Sequence, residues 1–198
     1  MPPRSSTPDM VRLAEGLDGE VPMQMELIMR CDYGAVVPWV RRLPDGRLGA
    51  IAGPDALLLD AGVETRGEGL ATVAEFSVRP GQRVPFVLSW HSSHEPAPPA
   101  INAIEAIAET EAWWLEWSGR CSYRGPWRDA VLSSLVTLKA LTYAPTGGIV
   151  AAATTSLPEH PGGVRNWDYR YCWLRDATYT LYSLNLAGYR AEAEAWRD

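Results

Sequence analysis

Residues 162–188 read GGVRNWDYRYCWLRDATYTLYSLNLAG, and the pattern changes at Trp173. Before it, Trp167, Tyr169, Tyr171 and Trp173 alternate with Asp168 and Arg170 in a segment opened by two glycines. From Trp173 to Ala187 the spacing predicts a helix, with Gly188 as its stop. Arg175 and Asp176 then fall in the first turn, where a carboxylate gains from the helix N-terminus. Successive helical side chains point about 100° apart, so the two reach one small ligand only at the rim of a cavity. Rings beside charges suit carbohydrates. A pyranose lays its C–H faces on aromatic rings, while carboxylate and guanidinium groups exchange charge-assisted hydrogen bonds with its hydroxyls. The same residues also fit plainer roles: Arg175–Asp176 as a solvated ion pair, and the four rings as core at a loop junction. Asp168 and Asp176 are two carboxylates of the kind glycoside hydrolysis uses, but they belong to one short segment and are expected to face different ways.

Upstream of this stretch the chain is also helical. INAIEAIAETEAWWLEWSG (101–119) carries a stripe of Ile104, Ile107, Ala108, Trp114 and Leu115 and ends at Gly119. The next helix has Pro126 in its first turn and a stripe of Trp127, Val131, Leu135, Leu138 and Leu141. Between it and Trp173 lies a long connection with turn chemistry at Pro145–Gly148 and Pro158–Gly163, and connections of that length are often functional. Glu159 and His160 sit in its Pro-Gly part and read as solvated. AEAEAWRD (191–198) opens a further helix.

The first half reads as strands. In QMELIMRC (24–31) Met25, Leu27, Met29 and Cys31 share one face, and Gln24, Glu26 and Arg30 share the other with Ile28. VVPWVRR, LGAIA, DALLLD, LATVAEFSV and RVPFVLSWH follow, with turns at Pro44–Gly46 and RPGQ (79–82). Short strands at this spacing imply an antiparallel sandwich, with Pro38 and Pro85 at edges or bulges because each lacks a ladder donor. HSSHEPAPPA (91–100) is a linker by composition. Its His91 and His94 lack a third ligand nearby, which argues against a metal site.

Composition bounds the partners. A formal charge of −6 without a basic run excludes an electrostatic nucleic-acid binder, and no apolar run is long enough to span a membrane. Cys31, Cys121 and Cys172 are odd in number and far apart, as expected of free thiols in a reducing cytoplasm. No cofactor motif is present. Nine tryptophans stand against two phenylalanines, and all but Trp39 and Trp90 lie at or beyond residue 113, so the halves differ in kind.

YAPTGGIVAAATTSLPEHPGGVRNWDYRYCWLRDATYTLYSL (143–184) closely resembles the entry segment of the catalytic barrel in the glucoamylase-type glycoside hydrolases, family 15, which include bacterial trehalases. TTSLPE followed by GGVRNWDYRYCWLRD is the most specific part. GLDGEVPMQMELIMRCDYG, TVAEFSVRPGQRVPFVLSWHSSHEP and GPWRDAVLSSLVTLKALTYAPTGG extend the resemblance over nearly the whole chain.

The resemblance implies an α+β multidomain fold. Residues 1–95 would be an N-terminal β-sandwich, 96–124 a linker with a helix, and 125–198 the beginning of an (α/α)6 barrel. It also implies hydrolysis of terminal α-linked glucose with inversion, with trehalose hydrolysis or a non-catalytic carbohydrate-binding role as alternatives. The family's W-x-R-D element falls on Trp173, Arg175 and Asp176, whose Arg and Asp would hold hydroxyls of the terminal glucose. Tyr169 would lie near the same sugar, and Trp167 and Arg165 belong to the same loop. The acid and base glutamates are expected beyond Asp198, which would leave the isolated chain inactive and its helical part prone to self-association.

Overall fold

The computed structural model describes residues 7–154 and 160–197. Most of TTSLPE, with Glu159, lies outside the described residues, as does the N-terminal hexapeptide. The chain divides into two compact units, one ending at Thr110 and the other starting at Glu111.

Among the described residues the first unit has eight strands: β1 (Asp9–Glu15), β2 (Val21–Leu27), β3 (Trp39–Arg42), β4 (Leu48–Ala52), β5 (Asp55–Ala61), β6 (Arg66–Glu68), β7 (Ala71–Val78) and β8 (Arg83–Ser92). They form a five-stranded sheet in the order β1-β8-β5-β4-β3 and a three-stranded sheet in the order β2-β7-β6. Every pairing is antiparallel. Buried Ala50, Leu58, Val78 and Val87 come from both sheets, and the sheets touch where Phe76 meets Phe86 with ring centroids 5.6 Å apart. That layering is the one expected of antiparallel sheets sharing a core. The RPGQ turn closes with Gln82 N–H donating to Arg79 O, and it carries the chain from one sheet to the other. Segment 95–100 belongs to this unit as well, since the Pro98 carbonyl accepts a 2.8 Å bond from Arg47.

Two strands have no counterpart in the sequence reading. β1 and β6 are edge strands, and each is mostly exposed, so neither carries a strong alternation. Pro38 does precede an edge strand, β3. Pro85 does not lie on an edge: it sits in β8, between β1 and β5. Its missing donor is tolerated because the β5 ladder ends at Ala61↔Phe86, and the Pro85 carbonyl accepts from Gly62 just past that end. The chain passes so close that a Cβ on Gly62 would stand 2.6 Å from Pro85 Cδ.

Helix α1 (Ala103–Gly119) starts before the division between the units. Asn102 Oδ1 accepts from the N–H groups of Ile104 and Glu105, satisfying two donors of its first turn. It ends at Gly119, as expected, but its buried face matches the expected stripe only in part. Ala103, Ala106 and Trp117 are buried, while Ile104 and Leu115 are 44% and 64% exposed. Ile107 and Trp114 of that stripe are half-buried, and Trp114 packs against the core around Trp117, whereas Ala103 and Ala106 are small inward residues the stripe left out.

α2 (Arg128–Ala140) has Trp127 as its N-cap, so Pro126 precedes the helix rather than lying in its first turn. Trp127 is exposed, and Leu135 is the stripe residue that is buried. α3 (Leu174–Leu186) and α4 (Arg190–Arg197) complete the second unit. Its core joins Trp117, Cys121, Leu135, Leu184, Ala187 and Tyr189. Trp117 and Tyr189 stack at 4.1 Å, and Trp117 Nε1 donates to Glu192 Oε1, whose other oxygen pairs with Lys139. Among the described residues no helix is long and apolar enough to cross a membrane.

Candidate functional site

The connection between α2 and α3 is fixed at both ends. Past α2, Tyr143 N–H donates to Gly148 O and Val150 N–H to Leu141 O, closing a turn in which Gly147 takes φ +69°. The following residues reach the aromatic stretch, with Ala152 and Ala151 donating to the carbonyls of Tyr169 and Tyr171 at 2.8 and 3.1 Å. Two distant parts of the loop thus run side by side immediately ahead of α3.

Two of the other three rings gather around Trp173. Its ring centroid lies 5.3 Å from Tyr169 and 6.4 Å from Trp167, in tilted and edge-on geometry. Tyr171 is turned out, at 67% exposure. Trp173 is half-buried and is the N-cap of α3, in extended backbone conformation. Its indole Nε1 donates to Asp168 O at 3.3 Å.

Arg175 and Asp176 occupy the first turn of α3. The Arg175 guanidinium carbon stands 5.8 Å from the Trp173 ring centroid, within reach of a cation–π contact. Arg175 Nε and Nη2 both donate to Asp176 Oδ2, at 3.2 and 3.0 Å, so Oδ1 takes no part in that pair. The side chains are 64% and 33% exposed. This is the solvated pair of the plainer reading, yet it is placed at the edge of an aromatic cluster with one carboxylate oxygen to spare.

Asp168 has the opposite environment. Oδ1 accepts from both the backbone N–H and Nε of Arg170 at 3.0 Å, and Oδ2 accepts from Nη2 at 2.7 Å. These bonds stabilise the ionised form, and the Arg170 side chain and N–H hold its carboxyl well down, at about 2. A carboxylate with both oxygens engaged and such a low pKa is a poor proton donor or acceptor at neutral pH. The structure therefore gives Asp168 no part in an acid–base couple with Asp176. Arg165 is exposed in the same loop, and His160 is exposed at its start.

The arrangement brings Trp167, Tyr169, Trp173, Arg175 and Asp176 to one end of α3 and leaves Tyr171 outside the cluster. What the sequence reading missed is the Asp168–Arg170 fork. Its signal was present in the i, i+2 spacing, but that spacing does not say whether two charges face each other.

Comparisons with known proteins point the same way. Residues 125–198 match the family described as glycosyl hydrolases family 15. A trehalase of Mycobacterium tuberculosis is 40% identical over 145 residues, covering 71% of this chain and 21% of that protein. A trehalase of Mycolicibacterium smegmatis is 38% identical over 164 residues, 82% of this chain and 23% of that protein. A trehalase of Thermoplasma acidophilum is 29% identical over 188 residues, 95% of this chain and 32% of that protein. The chain thus spans about a fifth to a third of the length of these curated relatives. No solved structure gives a significant match. Through its segment 125–198, supported by these relatives, the chain belongs to glycosyl hydrolase family 15.

Proposed function

We propose that the chain is part of a glycoside hydrolase that splits α,α-trehalose, and that it supplies one wall of the pocket for a terminal glucose. The observation that carries the choice of trehalose over maltose or starch is the kinship itself: the relatives matched over 71%, 82% and 95% of the chain are all trehalases. Terminal α-glucosidic cleavage of the glucoamylase type is the broader reading, and trehalose is the member of that class the relatives favour.

In the proposed wall, a glucose lies against Trp173 and Tyr169, with Trp167 at the rim. Asp176 accepts from its hydroxyls through Oδ1, while Arg175 donates to the same sugar and balances the charge. Inverting hydrolysis needs a carboxylic acid to protonate the leaving oxygen and a carboxylate to activate water on the opposite face. Asp168 is unfitted for either role, and Asp176 sits where it can bind. This region therefore serves binding and orientation rather than proton transfer. The architecture that goes with this reading places the β-sandwich in residues 1–95, a helix-bearing linker in 96–124 and the opening of an (α/α)6 barrel in 125–198. Two antiparallel sheets followed by successive helices support it.

The test is glucose release by the product of the full reading frame, assayed on trehalose, maltose and soluble starch. A kcat/KM on trehalose at least about tenfold above the others is expected. Equal or higher efficiency on maltose or starch would overturn the assignment to trehalose. Folded protein without glucose release from any of the three would overturn the hydrolase reading.

A further inference from the structure

The turn 168–173 is held in a way that points at one ring. The Asp168 carboxylate closes a fork and an i→i+2 backbone bond on Arg170, which fixes the first three residues of the turn as a unit. The carbonyl of Asp168 accepts the Trp173 indole N–H, and the carbonyls of Tyr169 and Tyr171 are held from the other side by Ala152 and Ala151. Trp173 in turn carries Tyr169 and Trp167 against its ring and Arg175 near its face. The direction of the Asp168 carbonyl is set by the same backbone that the Asp168 carboxylate closes.

We infer that Asp168 is a positioning residue. It binds no ligand itself, but by locking Arg170 and presenting its own carbonyl to the indole it fixes the Trp173 ring, and through it the Arg175 guanidinium, in the orientation a sugar face meets. The significance for sugar binding rests on the function proposed above; the effect on Trp173 does not. A role in stability alone would be small, because both partners are about a third exposed and pairs of that kind contribute little. A role in orientation follows from geometry, since both oxygens are engaged within the turn. The depressed pKa of about 2 agrees with this, as the fork stays ionised through mildly acidic pH.

The experiment has two arms. In the first, the indole N–H signal of Trp173 is followed by 15N–1H NMR of the chain and assigned with Trp173→Phe. Asp168→Asn, and independently Arg170→Lys, which cannot form the fork, are expected to shift that signal and speed its hydrogen exchange. The indole signal of Trp117, in the core, should stay in place. An unmoved Trp173 signal in the folded variants overturns the proposal.

In the second arm, the full reading-frame product is assayed on trehalose. Asp168→Asn is expected to raise KM about tenfold with a smaller fall in kcat, and Asp168→Asn/Arg170→Lys to be no worse than either single variant. Unchanged KM in variants that only melt earlier overturns the positioning role. Wild-type protein inactive on trehalose, with the Trp173 signal still moving in the variants, overturns the substrate assignment and leaves the role of Asp168 supported.

Discussion

Asp168 and Asp176 each stand beside an arginine, and the difference between them is how many oxygens that arginine takes. Arg170 occupies both oxygens of Asp168, whereas Arg175 occupies only Oδ2 of Asp176. If Asp176 Oδ1 accepts from a glucose hydroxyl, Asp176→Asn keeps the shape but replaces an ionised acceptor with an amide. The expected loss in kcat/KM of the full reading-frame product is roughly 2–4 kcal/mol, or about 30- to 1,000-fold. Some of it should appear in kcat, if those bonds tighten as the ring flattens toward an oxocarbenium ion. A solvated ion pair would instead give near-wild-type kinetics with at most a small drop in melting temperature, so both are measured on the same variant. For Asp168 the pH dependence has a definite sign. Its folded pKa lies below the unfolded value of 3.8, so the unfolded chain binds the extra proton first. The stabilisation by the fork is fully present above that value and is lost as pH falls through about 2. The melting-temperature difference between wild type and Asp168→Asn, small as it is, should be constant from pH 7 to about 5, then shrink and close only below about pH 2. A difference that instead grows below pH 4 would contradict the assignment.

At the scale of elements, the ends of helices are easier to read than their faces. Gly188 was recognisable as the stop of α3, and the structure gives the reason. It takes φ +97°, its N–H donates to Asn185 O, and Tyr189 N–H reaches back to Leu184 O, the bond pair of a Schellman motif. A Cβ there would also sit 3.1 Å from Ser122 Oγ. Gly188→Ala should therefore destabilise the helical unit by about 1–2 kcal/mol in urea unfolding. No loss at all would mean that the turn relaxes at no cost. The face of α1 was read only in part: Ile107 and Trp114 turn inward, but Ala103 and Ala106 do so in place of Ile104 and Leu115. The Lys139–Glu192 pair was not legible either. Its members are 53 positions apart, and only the folded unit brings α4 beneath Trp117. With side chains 16% and 18% exposed, the pair is mostly desolvated. Glu192→Ala strips the partner from both Lys139 Nζ and Trp117 Nε1, and should cost about 2–4 kcal/mol. Lys139→Met/Glu192→Met should recover part of that loss, because no charge is then left buried alone. A single variant within about 0.5 kcal/mol of wild type would show the pair to be incidental.

Across the whole chain, the change from strands to helices was legible from period and composition, because the two patterns differ in kind and the tryptophans lie almost all in the second half. What each half leaves exposed was not, since exposure depends on which neighbours the fold supplies. In α3 one face is buried through Ala177, Thr180 and Leu184, and the other carries Tyr179, Tyr182 and Leu186 at 68%, 61% and 67% exposure. Contiguous apolar surface beyond a few hundred Å² tends to associate or to bind hydrophobic dyes. The chain should therefore show concentration-dependent mass in sedimentation velocity and enhanced fluorescence of an added naphthalene sulfonate dye. The controls locate the surface. Tyr182→Gln/Leu186→Lys removes apolar area and adds a charge on the outer face of α3 without touching its buried side, so it should suppress both signals. Trp39→Ser, at a 78% exposed position on an edge strand of the first unit, should leave them nearly unchanged. If Trp39→Ser abolishes association and the α3 variant does not, the sticky surface lies on the β unit. A monodisperse, dye-silent wild-type chain at about 100 μM would show that the exposed side chains of α3 do not act together as a patch.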